Sequence, residues 1–159
     1  MNTITVVVAS YFIAIPLSVL LYQLFAMPKN ERFRFAAIIL IGGVLSLILA
    51  KIGHLLFQDP RPFIVGHFQP LIISSRDNGF PSDHTLLAAF IGFVMLERSR
   101  KVGIALLIVA LAIGLARMHA GVHHSWDVLG SFIITGVSYV LTRFAVRYIY
   151  RRRHPAVTN

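Results

Sequence analysis

The chain of 159 residues contains no cysteine, so neither a disulfide framework nor a thiolate metal site is open to it. Charge is scarce as well. Only 13% of the residues are Asp, Glu, Lys or Arg, against 57% that are hydrophobic. That balance excludes an ordinary soluble domain and fits an integral membrane protein. Internal repeats, low-complexity tracts and linker-like stretches are missing too, so the sequence reads as one domain over 1–159. The formal charge of +9 does not point to nucleic acid, because the basic residues fall between apolar runs instead of gathering on one soluble face.

What is there is a succession of five apolar segments, at residues 4–25, 35–57, 82–96, 102–116 and 126–148. Crossing the hydrocarbon takes about 20 residues of helix, which the first, second and fifth supply and the third and fourth do not. The expected fold is all-α: an integral membrane bundle of five transmembrane helices. The first segment lacks the preceding basic residues and the small-residue cleavage pattern of a signal peptide. Pro16 within it predicts a kink rather than a break. Eleven of the 15 Lys and Arg residues lie in the first connecting loop (Lys29, Arg32, Arg34), the third (Arg98, Arg100, Lys101) and the C-terminal end (Arg143, Arg147, Arg151, Arg152, Arg153). The other side has Arg61, Arg76 and Arg117, with Lys51 inside the second segment. The excess predicts a cytoplasmic C-terminus and an outside N-terminus.

Under that topology three polar clusters share the outer end: HLLFQDPRP at 54–62, PSDH at 81–84 and ARMHAGVHHSWD at 116–127. The loop at 58–80 is long for a helix bundle, as functional loops are. The residue types suit phosphoryl transfer. Arg61 and Arg117 offer planar donor forks matched to phosphate oxygens. Ser82 stands at a helix N-terminus, where unpaired N–H groups favour anions. His123 and Asp127 are four residues apart and share a face if the fifth helix begins there. A carboxylate on one imidazole nitrogen leaves the other free as a nucleophile, and His84 remains as proton donor to the departing oxygen. His119, His123 and His124 lack the carboxylate shell of a metal cage, so no metal or other cofactor is expected.

Each residue also has a structural reading when taken alone. Arg61 and Arg117 could snorkel to the interface. Ser82 or Asp83 could cap the third helix and Asp127 the fifth, with Trp126 as an interfacial anchor. His84 could be a satisfied helix-end histidine. His67, His119 and His124 read as structural, with Arg76 more open. The shared membrane face of the whole set favours function.

Arg61–Pro62, then Pro81–Ser82–Asp83–His84, then Arg117 with His123 and Asp127 resembles the three-part signature of the type 2 phosphatidate phosphatase superfamily, the acid phosphatase and haloperoxidase-like group. The resemblance covers 51 to about 131, and its combined spacing is specific. It implies metal-free hydrolysis of a lipid phosphate through a phosphohistidine. His123 would be the nucleophile, Asp127 its orienting partner and His84 the general acid. Arg61, Ser82 and Arg117 would hold the phosphate, with Asp83 in the same motif. The forms DPRPF and NGFPSDH are similar to undecaprenyl-diphosphatases of the bacitracin-resistance type. That similarity implies an isoprenoid diphosphate substrate, a bacterial plasma-membrane location and an active site on the outer face, in service of the peptidoglycan lipid carrier. Two features depart from the family. His54 stands where the family has lysine, with Lys51 one turn below, so either is a candidate phosphate contact. Five helices are expected where many members have six. The alternatives are a phosphatase of phosphatidate, phosphatidylglycerol phosphate or a similar lipid, and a non-catalytic membrane transporter or assembly protein. The intact His84–His123–Asp127 set speaks against the last.

Overall fold

The structure is a computed structural model that describes residues 2–153. The side chains of Arg151, Arg152 and Arg153, counted above in the basic C-terminal end, lie outside the described part. The elements are α1 (Asn2–Tyr11), α2 (Ala14–Ala26), α3 (Lys29–Leu56), the single turn α4 (Pro62–Val65), α5 (Asp83–Met95), α6 (Arg100–His119) and α7 (Ser125–Arg153). One isolated bridge, Pro60 to Asn78, is the only β-type pairing among the described residues.

The first apolar segment is two helices, because Pro16 has no N–H for the Phe12 carbonyl and its ring crowds that carbonyl. The chain breaks at Phe12 and Ile13, four and three residues before the proline. The Ile15 N–H takes the Phe12 carbonyl instead, at 3.0 Å. The pair α1–α2, α3, α6 and α7 are each long and apolar enough to cross a membrane.

Helix α5 is different. Its 13 residues rise only about 20 Å against a hydrocarbon thickness of about 30 Å. Nine of them are buried, Thr85 through Met95 with few gaps. A helix apolar on all sides and enclosed by its neighbours need not match the bilayer, which is why the third segment is short. The fourth segment, also short as an apolar run, extends into its polar flanks as the 20 residues of α6.

Polarity runs inside out relative to a soluble protein. Leu40, Leu47, Ile108 and Phe144 face outward, whereas Ser131, Thr135, Ser138 and Thr142, all on one face of α7, are at most 1% exposed. Without a hydrophobic drive between helices in lipid, small and weakly polar residues let backbones approach closely. A Cβ added at Gly114 would come within 2.6 Å of Val128, and one at Gly130 within 2.2 Å of the Phe80 ring. The first glycine seats α6 on α7; the second seats the loop before α5 on α7.

At the end away from the polar clusters, Glu97 follows α5 with its side chain 8% exposed. It gathers Arg34 at 3.3 Å from α3 and Arg143 at 2.7 Å from α7, and accepts a bond from the Tyr139 hydroxyl at 2.8 Å. Arg98 pairs with Glu31 nearby. This ionic knot holds that end together, leaving the opposite end to be shaped by the loops.

Candidate active site

The three clusters converge at the end where α3 stops, α5 and α7 start and α6 finishes. Ser82 is the N-cap residue of α5, yet its hydroxyl caps nothing; it accepts from the Thr85 hydroxyl at 3.1 Å. Its backbone does the joining. The Ser82 N–H donates to the Asp127 carbonyl at 3.3 Å, and the Ser82 carbonyl accepts from the Ser131 hydroxyl at 3.0 Å. Phe63 N–H reaches the Gly121 carbonyl at 3.1 Å, tying the first cluster to the third.

His123 is 3% exposed, and its two nitrogens face different partners. Nδ1 lies 3.1 Å from Asp127 Oδ2, and Nε2 lies 3.3 Å from Arg61 Nη1. A guanidinium can only donate. Nε2 therefore carries the lone pair, and the ring proton sits on Nδ1, donated to the carboxylate. Burial pushes the His123 pKa below its ordinary value, with the Arg117 and Arg61 charges adding to it and Asp127 opposing. The ring is thus neutral at neutral pH.

Asp127 has a second bond: its Oδ2 accepts the His124 backbone N–H at 2.9 Å. With α7 starting at Ser125, His124 is the N-cap position and Asp127 is N3, so this is one half of a capping box. One atom, Oδ2, thus serves both the start of α7 and the pairing with His123. His123 itself precedes the helix, so the pairing runs across the first turn and not along a shared helical face.

Arg61 is buried, and Arg117 is buried beside the first helix pair, where its Nη1 donates to the Ala9 carbonyl at 3.2 Å. That carbonyl belongs to the last turn of α1, whose oxygens lack helical partners. Arg117 Nε is buried with no partner. His84 is half-buried, within electrostatic reach of Arg117, Asp83 and His123. Asp83 is exposed, its charge felt by both His84 and Arg117. His54 Nδ1 meets the Phe80 carbonyl at 3.0 Å, which makes that nitrogen the donor and ties the end of α3 to the segment before Ser82. Lys51 is exposed. Arg76, His67 and His119 are exposed and outside this arrangement.

Three residues with no assigned role in the sequence organise the site. Asn78 uses all four of its amide's bonds: it donates to the His54 and Phe57 carbonyls and accepts from the Asp59 and Phe80 N–H groups. The Asn78–Gly79 dipeptide is a turn signal that could have flagged it. Asp59, in the DPRP stretch, lies 3.1 Å from His124 Nδ1, giving a second carboxylate–imidazole pair beside the first. Burial, and next the Asp127 charge, push the Asp59 carboxyl above its ordinary range. Asp77 grips Arg61 at 2.9 Å. Among the described residues, Asp59, His124 and Asp127 are the one group that could offer a cation three ligand atoms, within 4.8 Å of one another.

The PAP2 superfamily profile matches residues 32–153. Undecaprenyl-diphosphatase BcrC of Bacillus subtilis (strain 168) is 39% identical over 94 residues, covering 59% of this chain and 49% of that protein. Bacitracin transport permease protein BcrC of Bacillus licheniformis is 36% identical over 125 residues, 78% of this chain and 60% of that one. The chain thus spans about half the length of the curated relatives it matches. The crystal structure of Aquifex aeolicus LpxE is similar in fold, with a TM-score of 0.67 and 25% identity over 91% of this chain and 87% of that one.

Proposed function

The chain belongs to the PAP2 superfamily, and on that premise we propose that it is a membrane phosphatase that removes the terminal phosphate of an isoprenoid diphosphate through a phosphohistidine. The observation that carries the reading is the fixed tautomer of His123, with its lone pair on Nε2 beside a guanidinium and its proton on Nδ1, donated to Asp127. A binding protein has no use for a buried, neutral, oriented imidazole; a nucleophile does.

In the first step the His123 Nε2–P bond forms while the bridging P–O bond breaks, and His84 gives its proton to the departing lipid monophosphate. In the second, water attacks phosphorus, the N–P bond breaks and His84 takes up the water proton. Arg61 and Arg117 neutralise the charge that develops on the phosphoryl oxygens. Similarity to a protein named undecaprenyl-diphosphatase supports a long isoprenoid tail. The pocket chemistry reads phosphate, so phosphatidate or phosphatidylglycerol phosphate would react by the same steps. Phosphate release by the detergent-solubilised chain in EDTA, over undecaprenyl diphosphate, farnesyl diphosphate, phosphatidate and phosphatidylglycerol phosphate, tests it. Fastest turnover of undecaprenyl diphosphate is expected. No release from any of the four refutes the enzyme.

The ends of the bundle support an orientation in the bacterial plasma membrane. The site occupies one end, and Arg32, Arg34, Arg98, Arg143 and Arg147 gather towards the other, so the site faces outward and the C-terminus lies in the cytoplasm. A reporter inserted near Arg76 should be labelled from outside by a membrane-impermeant reagent. Labelling only after permeabilisation would reverse the orientation.

A further inference from the structure

The guanidinium of Arg61 has five N–H donors, and the chain occupies every one. Nη1 donates to the Val122 carbonyl at 3.1 Å and to His123 Nε2 at 3.3 Å. Nε and Nη2 both donate to Asp77 Oδ1, at 3.2 and 2.9 Å, and Nη2 also reaches the Ser75 hydroxyl at 3.3 Å. The Nε–Nη2 edge is the one whose geometry matches two oxygens of a carboxylate or a phosphate. Asp77 therefore sits on the edge that a phosphoryl group needs. From this we infer that Asp77 is a built-in competitor for phosphate, an affinity-setting residue that holds Arg61 until a phosphate displaces it and reclaims Arg61 as inorganic phosphate leaves. The inference rests on the phosphatase reading for its biological meaning, though its test does not need turnover.

The two sides of Arg61 are held differently. Nη1 is anchored in the protein by a buried backbone carbonyl. Asp77 is on the loop, with its side chain 60% exposed against 8% for Arg61, so it can swing into water where its charge is solvated. The Ser75 hydroxyl donates to Asp77 Oδ1 at 2.5 Å and steadies it. That bond first, and Arg61 second, hold the Asp77 carboxyl below its ordinary range, so the competitor stays anionic through neutral pH. Arg117 is not restrained in this way, with its Nε unpartnered, and would make the first contact with an incoming phosphate. A closed fraction that must open before binding lowers every affinity by the same factor. The device sets how tightly phosphate is held, product included, and not which phosphate is chosen.

The test is equilibrium binding of inorganic phosphate and of orthovanadate to the full chain in detergent, read by the fluorescence of Trp126, the sole tryptophan, beside Asp127. Asp77→Asn should tighten both by about threefold to tenfold, the scale of releasing a largely exposed arginine–carboxylate contact. KM for the lipid substrate should fall by the same factor. Ser75→Ala, which loosens Asp77 without touching its charge, should move binding in the same direction by a smaller amount and keeps the test alive if Asp77→Asn folds poorly. A purely supportive Asp77 gives the opposite sign: weaker phosphate binding in both variants, or no change, overturns the inference. A chain that binds phosphate yet hydrolyses no lipid phosphate refutes the phosphatase reading alone.

Discussion

His123→Ala is expected to abolish turnover, by on the order of 10⁴-fold or more, and to remove any acid-labile phosphoenzyme formed by the native chain. The expectation follows from geometry: among the described residues, His123 is the one histidine with a carboxylate on Nδ1 and a guanidinium on Nε2. Alanine deletes the attacking nitrogen while Arg61 keeps its Val122 and Asp77 bonds, so phosphate binding should outlast catalysis. A pH profile adds an independent reading. Burial depresses the His123 pKa, so the neutral, nucleophilic form persists below the ordinary histidine value of about 6.5. As pH falls, kcat/KM of the native chain should hold through that value and decline only further into acid. Full activity of His123→Ala on a lipid phosphate would eliminate the covalent mechanism.

Asp127→Asn should follow closely, lowering kcat by on the order of 10²- to 10⁴-fold with little change in KM. An amide that turns its NH₂ towards His123 Nδ1 forces the ring proton onto Nε2, where it both opposes Arg61 and removes the lone pair that attacks. Because Oδ2 takes both the His123 and the His124 bonds, that orientation also leaves the His124 N–H without its acceptor. Asp127→Ala removes the capping-box bond too, so each variant should cost about 1 kcal/mol in stability. Thermal unfolding in detergent measures that part, and steady-state kinetics the other. Equal kcat for Asp127→Asn and the native chain would mean that Asp127 serves only the helix.

Part of this was legible in the linear chain because it is written in short-range spacing. Apolar runs far richer than a soluble domain allows gave the helical membrane class. Pro16 marked where the first segment departs from a straight helix, but the expected kink is a break at Phe12 and Ile13, since a missing N–H acts four residues back. Arg61, His84, Arg117, His123 and Asp127 stood out because ionisable groups clustered beside apolar helices are costly unless used. The pairing of His123 with Asp127 was readable from their separation, although its route through the turn before α7 was not.

Other features depend on groups that are distant in sequence. Arg117 and the Ala9 carbonyl are 108 residues apart. Asn78 joins the end of α3 to the approach to α5, and Gly130 makes room for Phe80 from another helix. The length of its apolar run gave α5 as a span too short for the bilayer; only packing showed that nine of its residues are buried among the other helices. The sequence by itself determined the kinds of groups at the site and their local order, because those follow from composition, hydropathy and backbone stereochemistry. Only the tertiary structure decided which tautomer His123 holds and that Asp77 takes up the edge of Arg61, because a hydrogen bond is fixed by direction over about 3 Å, and the loops alone bring those atoms within that distance.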